Sequence, residues 1–134
     1  MFHQFLKISS LHRYAFYCCY SLGSIIIPNS VTRINDYAFD GCSGLETVVI
    51  GSGMMQIGYD TFYGCVSVKD VYCYADASGL YWFESFCDDF SDDPDAKTVC
   101  HVFDKDSFDA KWATRDTSED VNVNFVGDMV YDLS

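Results

Sequence analysis

Apolar residues in the first half of this chain recur on two periods at once. Short runs alternate inward-type and outward-type positions every second residue, as in SIII (24–27), TVVI (47–50) and DVYC (70–73). That is the pattern of strands with one buried face. A longer period joins the runs: Leu11, Ile34 and Ile57 stand 23 residues apart, and so do Phe16, Phe39 and Phe62. Cys19, Cys42 and Cys65 take the same step, as do Leu22, Leu45 and Val68, then Ile25, Val48 and Val71, then Ile27, Ile50 and Cys73. Columns in phase over three copies predict a unit that repeats in space, each copy burying its apolar face against the next.

A period in the low twenties with an L-x-x-I-x-I core is that of a leucine-rich repeat solenoid. About three 23-residue rungs are expected, at residues 8–30, 31–53 and 54–73, each with one short parallel strand and a short helix or turn as its return. Asp36 is the candidate cap of a return helix, with Gly41 as its left-handed stop, a place held by Gly64 in the third rung and by Cys18 in the first. Turns close the strands at Pro28-Asn29-Ser30 and Gly51-Ser52-Gly53. From Tyr74 the phase is lost. Residues 74–134 read as an acidic, non-repeating, β-rich unit that caps the solenoid of residues 1–73. Its strands are expected in TVCHVF (98–103) and VNVNFV (121–126), and a short helix over Ser107 to Trp112 with Asp106 or Ser107 as cap.

Charge sharpens this division. The net charge is −12, and through Cys73 four Lys/Arg stand against five Asp/Glu, while beyond it four stand against fifteen. No basic patch is available for phosphates, so nucleic acid is excluded as a partner class. The stretch Tyr14 to Thr32 carries no charge, but its Pro28, its polar residues and its fit to the repeat columns exclude a membrane span. No export signal is recognisable before the first repeat, which fits a truncated gene or a fragment of a longer array.

The strings AFDGCSGLETVVI and IIIPNSVTRINDYAF resemble the BspA-like leucine-rich repeat family, whose repeats read roughly I-x-x-x-A-F-x-x-C-x-x-L-x-x-I-x-I-P. The resemblance covers residues 8 to 73 and departs from the pattern at Thr61, Val68 and Cys73, and in the missing proline after the second and third strands. VYCYAD, CDDF, TVCHVF and VNVNFVGDM are similar to the C-terminal unit that follows such repeats in Bacteroidetes proteins. The resemblance implies a secreted or cell-surface protein engaged in cell adhesion or host-protein binding, with no catalytic residues to carry over.

Candidate chemistry is sparse. The cysteine column reads as a ladder of buried thiols acting as small hydrophobes, and no C-x-x-C pair offers a zinc site. Cys73 and Cys100 are candidates for a disulfide or for two packed thiols. Cys100 and His101 are neighbours on a strand and point to opposite faces, which excludes a nucleophile–base pair. His3 and His12 have no ligand partners at usable spacing. Asp88, Asp89, Asp92, Asp93 and Asp95 supply calcium-type oxygens, yet their spacing misses the D-x-D-x-D-G…E loop, so no metal site is assigned and a solvated acidic loop is expected. No cofactor and no enzymatic activity is implied. The leading function is protein binding through outward strand positions, in the columns Gly23, Glu46 and Lys69, then Ser24, Thr47 and Asp70, then the apolar Ile26, Val49 and Tyr72. The alternative is a purely structural C-terminal cap of a longer array. Phe2, Phe5 and Leu6 before a thinly covered first rung predict self-association through the N-terminal end.

Overall fold

The structure, a computed structural model, describes residues 8–82, 98–113 and 123–130. Two parallel sheets run along it. One is five-stranded, in the order β2-β4-β6-β8-β9, with β2 Ser24–Ile27, β4 Thr47–Ile50, β6 Asp70–Cys73, β8 Thr98–His101 and β9 Val123–Val126. The other is made of two-residue strands, β1 Ser10–Leu11, β3 Arg33–Ile34, β5 Gln56–Ile57 and β7 Tyr81–Trp82, in the order β1-β3-β5-β7. The chain is a leucine-rich repeat solenoid of parallel strands, and the register follows the sequence period: Ser24 lies opposite Thr47, and Thr47 opposite Asp70. After β6 the ladders continue at a longer spacing, with Asp70 opposite Val99 and Gln56 opposite Tyr81.

The period-two pattern sets which residues fill the space between the sheets. Val48, Ile50, Val71 and Cys73 point inward from the long strands and meet Ile34 and Ile57 from the short ones, all buried. Phe16, Phe39 and Phe62 stack with ring centroids 5.0 and 5.2 Å apart and planes parallel within 3°, one ring per coil. Thr61, where the first two rungs have alanine, is also fully buried. Its hydroxyl donates to Gly58 O at 2.7 Å, which removes the penalty of an unpaired polar group.

The return edge differs from a helix. Residues 36–45 form consecutive turns, and their amides alternate between local bonds and bonds to the next coil. Phe16 N donates to Ala38 O at 2.7 Å, Cys18 N to Asp40 O at 2.8 Å, Phe39 N to Thr61 O at 2.9 Å and Gly41 N to Tyr63 O at 2.7 Å. Each coil is therefore tied to the next on three sides. Tyr37 has φ 60° and Gly41 φ 78°, and left-handed residues this close together break a right-handed helix. Asp36, the expected cap, instead accepts Tyr59 N of the following coil on Oδ1 at 2.8 Å.

Beyond β8, helix α1 Lys105–Ala113 lies against β9, with the Phe108 and Phe125 rings 5.4 Å apart. Its cap is Asp104 rather than Asp106 or Ser107. The Asp104 carboxylate accepts both the amide and the hydroxyl of Ser107, at 3.3 and 2.7 Å, and these bonds, the hydroxyl first, hold its pKa below the usual aspartate value. The uncharged stretch Tyr14 to Thr32 forms turns and β2, and among the described residues no helix is long and apolar enough to cross a membrane.

The left-handed stop yields a paired prediction. Gly41 and Gly64 hold φ +78° and +77°, and Cys18 holds φ 55° at the matching position. A Cβ on Gly41 would meet Cys18 Sγ at 2.9 Å. Gly41→Ala should lower unfolding free energy in urea by about 1–2 kcal/mol, whereas Cys18→Gly, which relieves the same strain, should leave it unchanged or raise it.

Candidate functional site

The outward side of the five-stranded sheet carries the residues expected to bind. Parallel pairing stacks them in rows across the coils: Ser24, Thr47 and Asp70 continue into Val99 and Asn124, and Ile26, Val49 and Tyr72 continue into His101 and Val126. Alternation holds strand by strand. Ile27, Ile50 and Cys73 are buried, while Ile26 is 72% exposed and Val49 and Tyr72 are half-buried. Glu46 and Lys69 form an exposed ion pair at 3.7 Å, a contact of small energetic weight.

The C-terminal end of this face holds residues that sequence reasoning did not bring together. The His101 ring stacks on Tyr72, centroids 4.3 Å apart and planes within 8°. Its Nε2 lies 2.9 Å from Asp70 Oδ1 and its Nδ1 2.7 Å from Asp128 Oδ2. One imidazole thus clamps β6, β8 and the segment after β9. Partial burial alone pulls its pKa down, but the hydrogen bonds to Asp70 and then Asp128, with their charges, outweigh that and hold it above the ordinary histidine value. Alternation in TVCHVF gave the outward direction of His101. The partners lay hidden because the spacing between β6 and β8 departs from the repeat.

Burial closes off thiol chemistry at Cys42, Cys65, Cys73 and Cys100, whereas Cys18 and Cys19 are only partly buried. Cys42 and Cys65 are fully buried, and each thiol reaches a phenylalanine carbonyl of the preceding coil at 3.1 Å, Cys42 Sγ to Phe16 O and Cys65 Sγ to Phe39 O. The column is therefore a row of hydrogen-bond donors as well as small apolar groups. Cys73 and Cys100 are buried free thiols. Burial raises the Cys73 pKa to about 11, and burial followed by the neighbouring Cys73 raises that of Cys100. Both stay protonated near neutrality and are poor nucleophiles. The acidic run Asp88, Asp89, Asp92, Asp93 and Asp95, and His3 with Phe2, Phe5 and Leu6, lie outside the described residues.

What the face can do is present shape, one apolar row and a charged clamp. A profile described as "BspA type Leucine rich repeat region (6 copies)" matches residues 8–87, more than half of the chain. No curated protein and no solved structure matches it.

The clamp makes stability pH-dependent with a definite sign. A histidine whose folded pKa is raised stabilises fully below its unfolded value, near 6.5, and loses that contribution as pH rises through the folded value. His101→Gln should therefore depress the melting temperature by several degrees at about pH 5.5 and by much less at about pH 9. An equal loss at both pH values would show that stacking on Tyr72, not charge, holds the ring.

Proposed function

Because the chain belongs to the BspA-type leucine-rich repeat family, we propose that it is a protein-binding module, part of a secreted or cell-surface protein, that engages its partner in adhesion through the outward strand face. The observation that carries this reading is the row Ile26, Val49, Tyr72 and His101, which runs across consecutive strands of a rigid sheet with its side chains turned out of the core. Repeat scaffolds bind through such extended faces, and here the thiols of Cys73 and Cys100 are turned into the core.

Area limits how tightly that face binds alone. Five strands about 4.8 Å apart and about 13 Å long present roughly 300 Å². A stable interface needs about 800 Å² per partner. Tight binding therefore recruits a second surface of this chain or further coils. The first coil supports the second option: Phe16, Cys19, Leu22 and Ile25 are only partly buried, whereas Phe39, Cys42, Leu45 and Val48 one coil later are fully so. Another solenoid end stacked there would complete the burial, which is the reading as a self-associating unit or as the cap of a longer array.

Val49→Asp combined with Tyr72→Asp tests the strand face. The double variant should stay folded, with a melting temperature lowered by a few degrees through loss of the Tyr72–His101 stack, and should no longer retain proteins that the immobilised wild type retains. A folded variant that retains the same set places binding elsewhere. Light scattering on the same samples should show a dimer in both if the first coil, rather than the strand face, mediates self-association.

A further inference from the structure

The return edge carries a second surface that the strand-face reading does not use. Tyr14, Tyr17, Tyr20, Tyr59 and Tyr63 all lie on it and are each about half exposed or more. The inter-coil bonds from Cys18 N to Asp40 O and from Gly41 N to Tyr63 O fix the columns: Tyr14, Tyr37 and Asp60 in one, Tyr17, Asp40 and Tyr63 in the next. Tyr14 stacks on Tyr37 with centroids 5.2 Å apart, and Tyr17 meets Tyr14 edge-on at 5.5 Å. Tyr14 and Tyr37 have φ 60°, and Asp60 holds φ 47° at the same position one coil on. A short polar residue tolerates that left-handed backbone far better than a bulky ring. The exposed Tyr14 thus keeps a strained conformation that its burial does not repay.

Acidic groups sit among these rings. Asp36 has its cation from within the chain, Arg13 Nη2 at 3.4 Å from Asp36 Oδ2. Asp40, four residues further along the coil, has tyrosine at position 17 in place of a cation, and among the described residues no ion pair engages it. A Cβ on Gly64 would lie 4.0 Å from Asp40 Oδ1, so the carboxylate leans along the solenoid toward the coil of Tyr63. Burial, and then the charge of Asp60, hold its pKa above the usual aspartate range. No cation of the described residues stands against this carboxylate.

We propose that this edge is a docking surface for an arginine-bearing polypeptide segment, whose guanidinium enters between Tyr17 and Tyr63 and pairs with Asp40. Spacing suits that occupant: neighbouring coils lie about 4.8 Å apart, so a cation over Asp40 stands about that far from the Tyr17 position on one side and the Tyr63 position on the other, inside the roughly 6 Å over which a ring face attracts it. Guanidinium is planar, stacks on aromatic faces and binds carboxylate, which an ammonium does less well. Charge complementarity is local, from Asp40 with Asp60 beside it, since the chain's net charge of −12 lies almost wholly beyond Cys73. The Arg13–Asp36 pair is the same guanidinium–carboxylate contact made within the chain.

The test is binding of a synthetic arginine-containing Gly-Ser peptide, with lysine and citrulline versions, to the full chain by calorimetry. The wild type should bind the arginine peptide best and the neutral citrulline peptide not at all. Tyr17→Ser with Tyr63→Ser leaves net charge unchanged and should weaken the arginine peptide about tenfold. Asp40→Asn should do likewise, while Asp76→Asn, which removes the same charge in the turn after β6, should change it less than about twofold. Should the double tyrosine variant fail to fold, Tyr63→Ser alone, at a position 60% exposed, should still cost about threefold. Unchanged affinity in the tyrosine variants, or equal losses for Asp40→Asn and Asp76→Asn, would reduce the binding to diffuse charge and overturn the proposal, as would no binding by the wild type. Val49→Asp with Tyr72→Asp should leave the peptide affinity unchanged; a loss there would assign the peptide to the strand face instead.

Discussion

Every backbone amide and carbonyl that a coil takes out of water needs a partner, and along the strands and the return edge of the described residues many of those partners belong to the neighbouring coil. That requirement fixes the rest. A coil can hydrogen-bond along its whole length only if the next one follows the same path, so the sequence must repeat in register, and it does at Ser24, Thr47 and Asp70. It also accounts for the return edge. Intrahelical bonds would consume the amides of Phe39 and Gly41, which here reach Thr61 O and Tyr63 O of the next coil. Where the backbone alone does not close the account, side chains do: Asn35 Nδ2 donates to Leu11 O at 2.7 Å, Asn29 Oδ1 accepts Ser52 N at 2.8 Å, and Thr98 Oγ1 donates to Val68 O at 2.8 Å.

The cysteine column belongs to the same logic. Cys42 and Cys65 are fully buried in the core that the phenylalanine stack and Leu45 share. A thiol adds a donor, and Cys42 and Cys65 place it 3.1 Å from Phe16 O and Phe39 O. Those carbonyls also accept the local bonds from Cys19 N and Cys42 N, so the thiol takes up the second lone pair. The surfaces then follow from the core. Rows on the strand face and columns on the tyrosine edge are straight because each side chain inherits its position from a hydrogen-bonded coil.

Much of this was legible in the residues, and what was not has identifiable causes. Alternation in SIII and TVVI gave the inward and outward faces, and the 23-residue step gave the parallel register and the buried thiols. The short strands β1, β3, β5 and β7 escaped because two residues are too few to show a period. A helical return was expected from Asp36 as cap and Gly41 as stop; the left-handed Tyr37 is a tertiary outcome that propensity does not encode. His101 and Asp128 met Asp70 across a break in the repeat, where no column predicts a partner. The 23-residue step already aligned Tyr17 and Tyr63 with Asp40, but that these rings stand exposed on a turn edge is a matter of the fold.

The central claim is that the return edge is locked to the next coil as firmly as the strands are. Native-state hydrogen exchange on the amides of Phe39 and Gly41, measured against those of Val48 and Ile50 in β4, addresses it directly. Comparable protection at all four, rising and falling together with denaturant, is the predicted result. Rapid exchange at Phe39 and Gly41 while β4 remains protected would contradict it, leaving a solenoid held by its sheets alone and an edge without fixed columns.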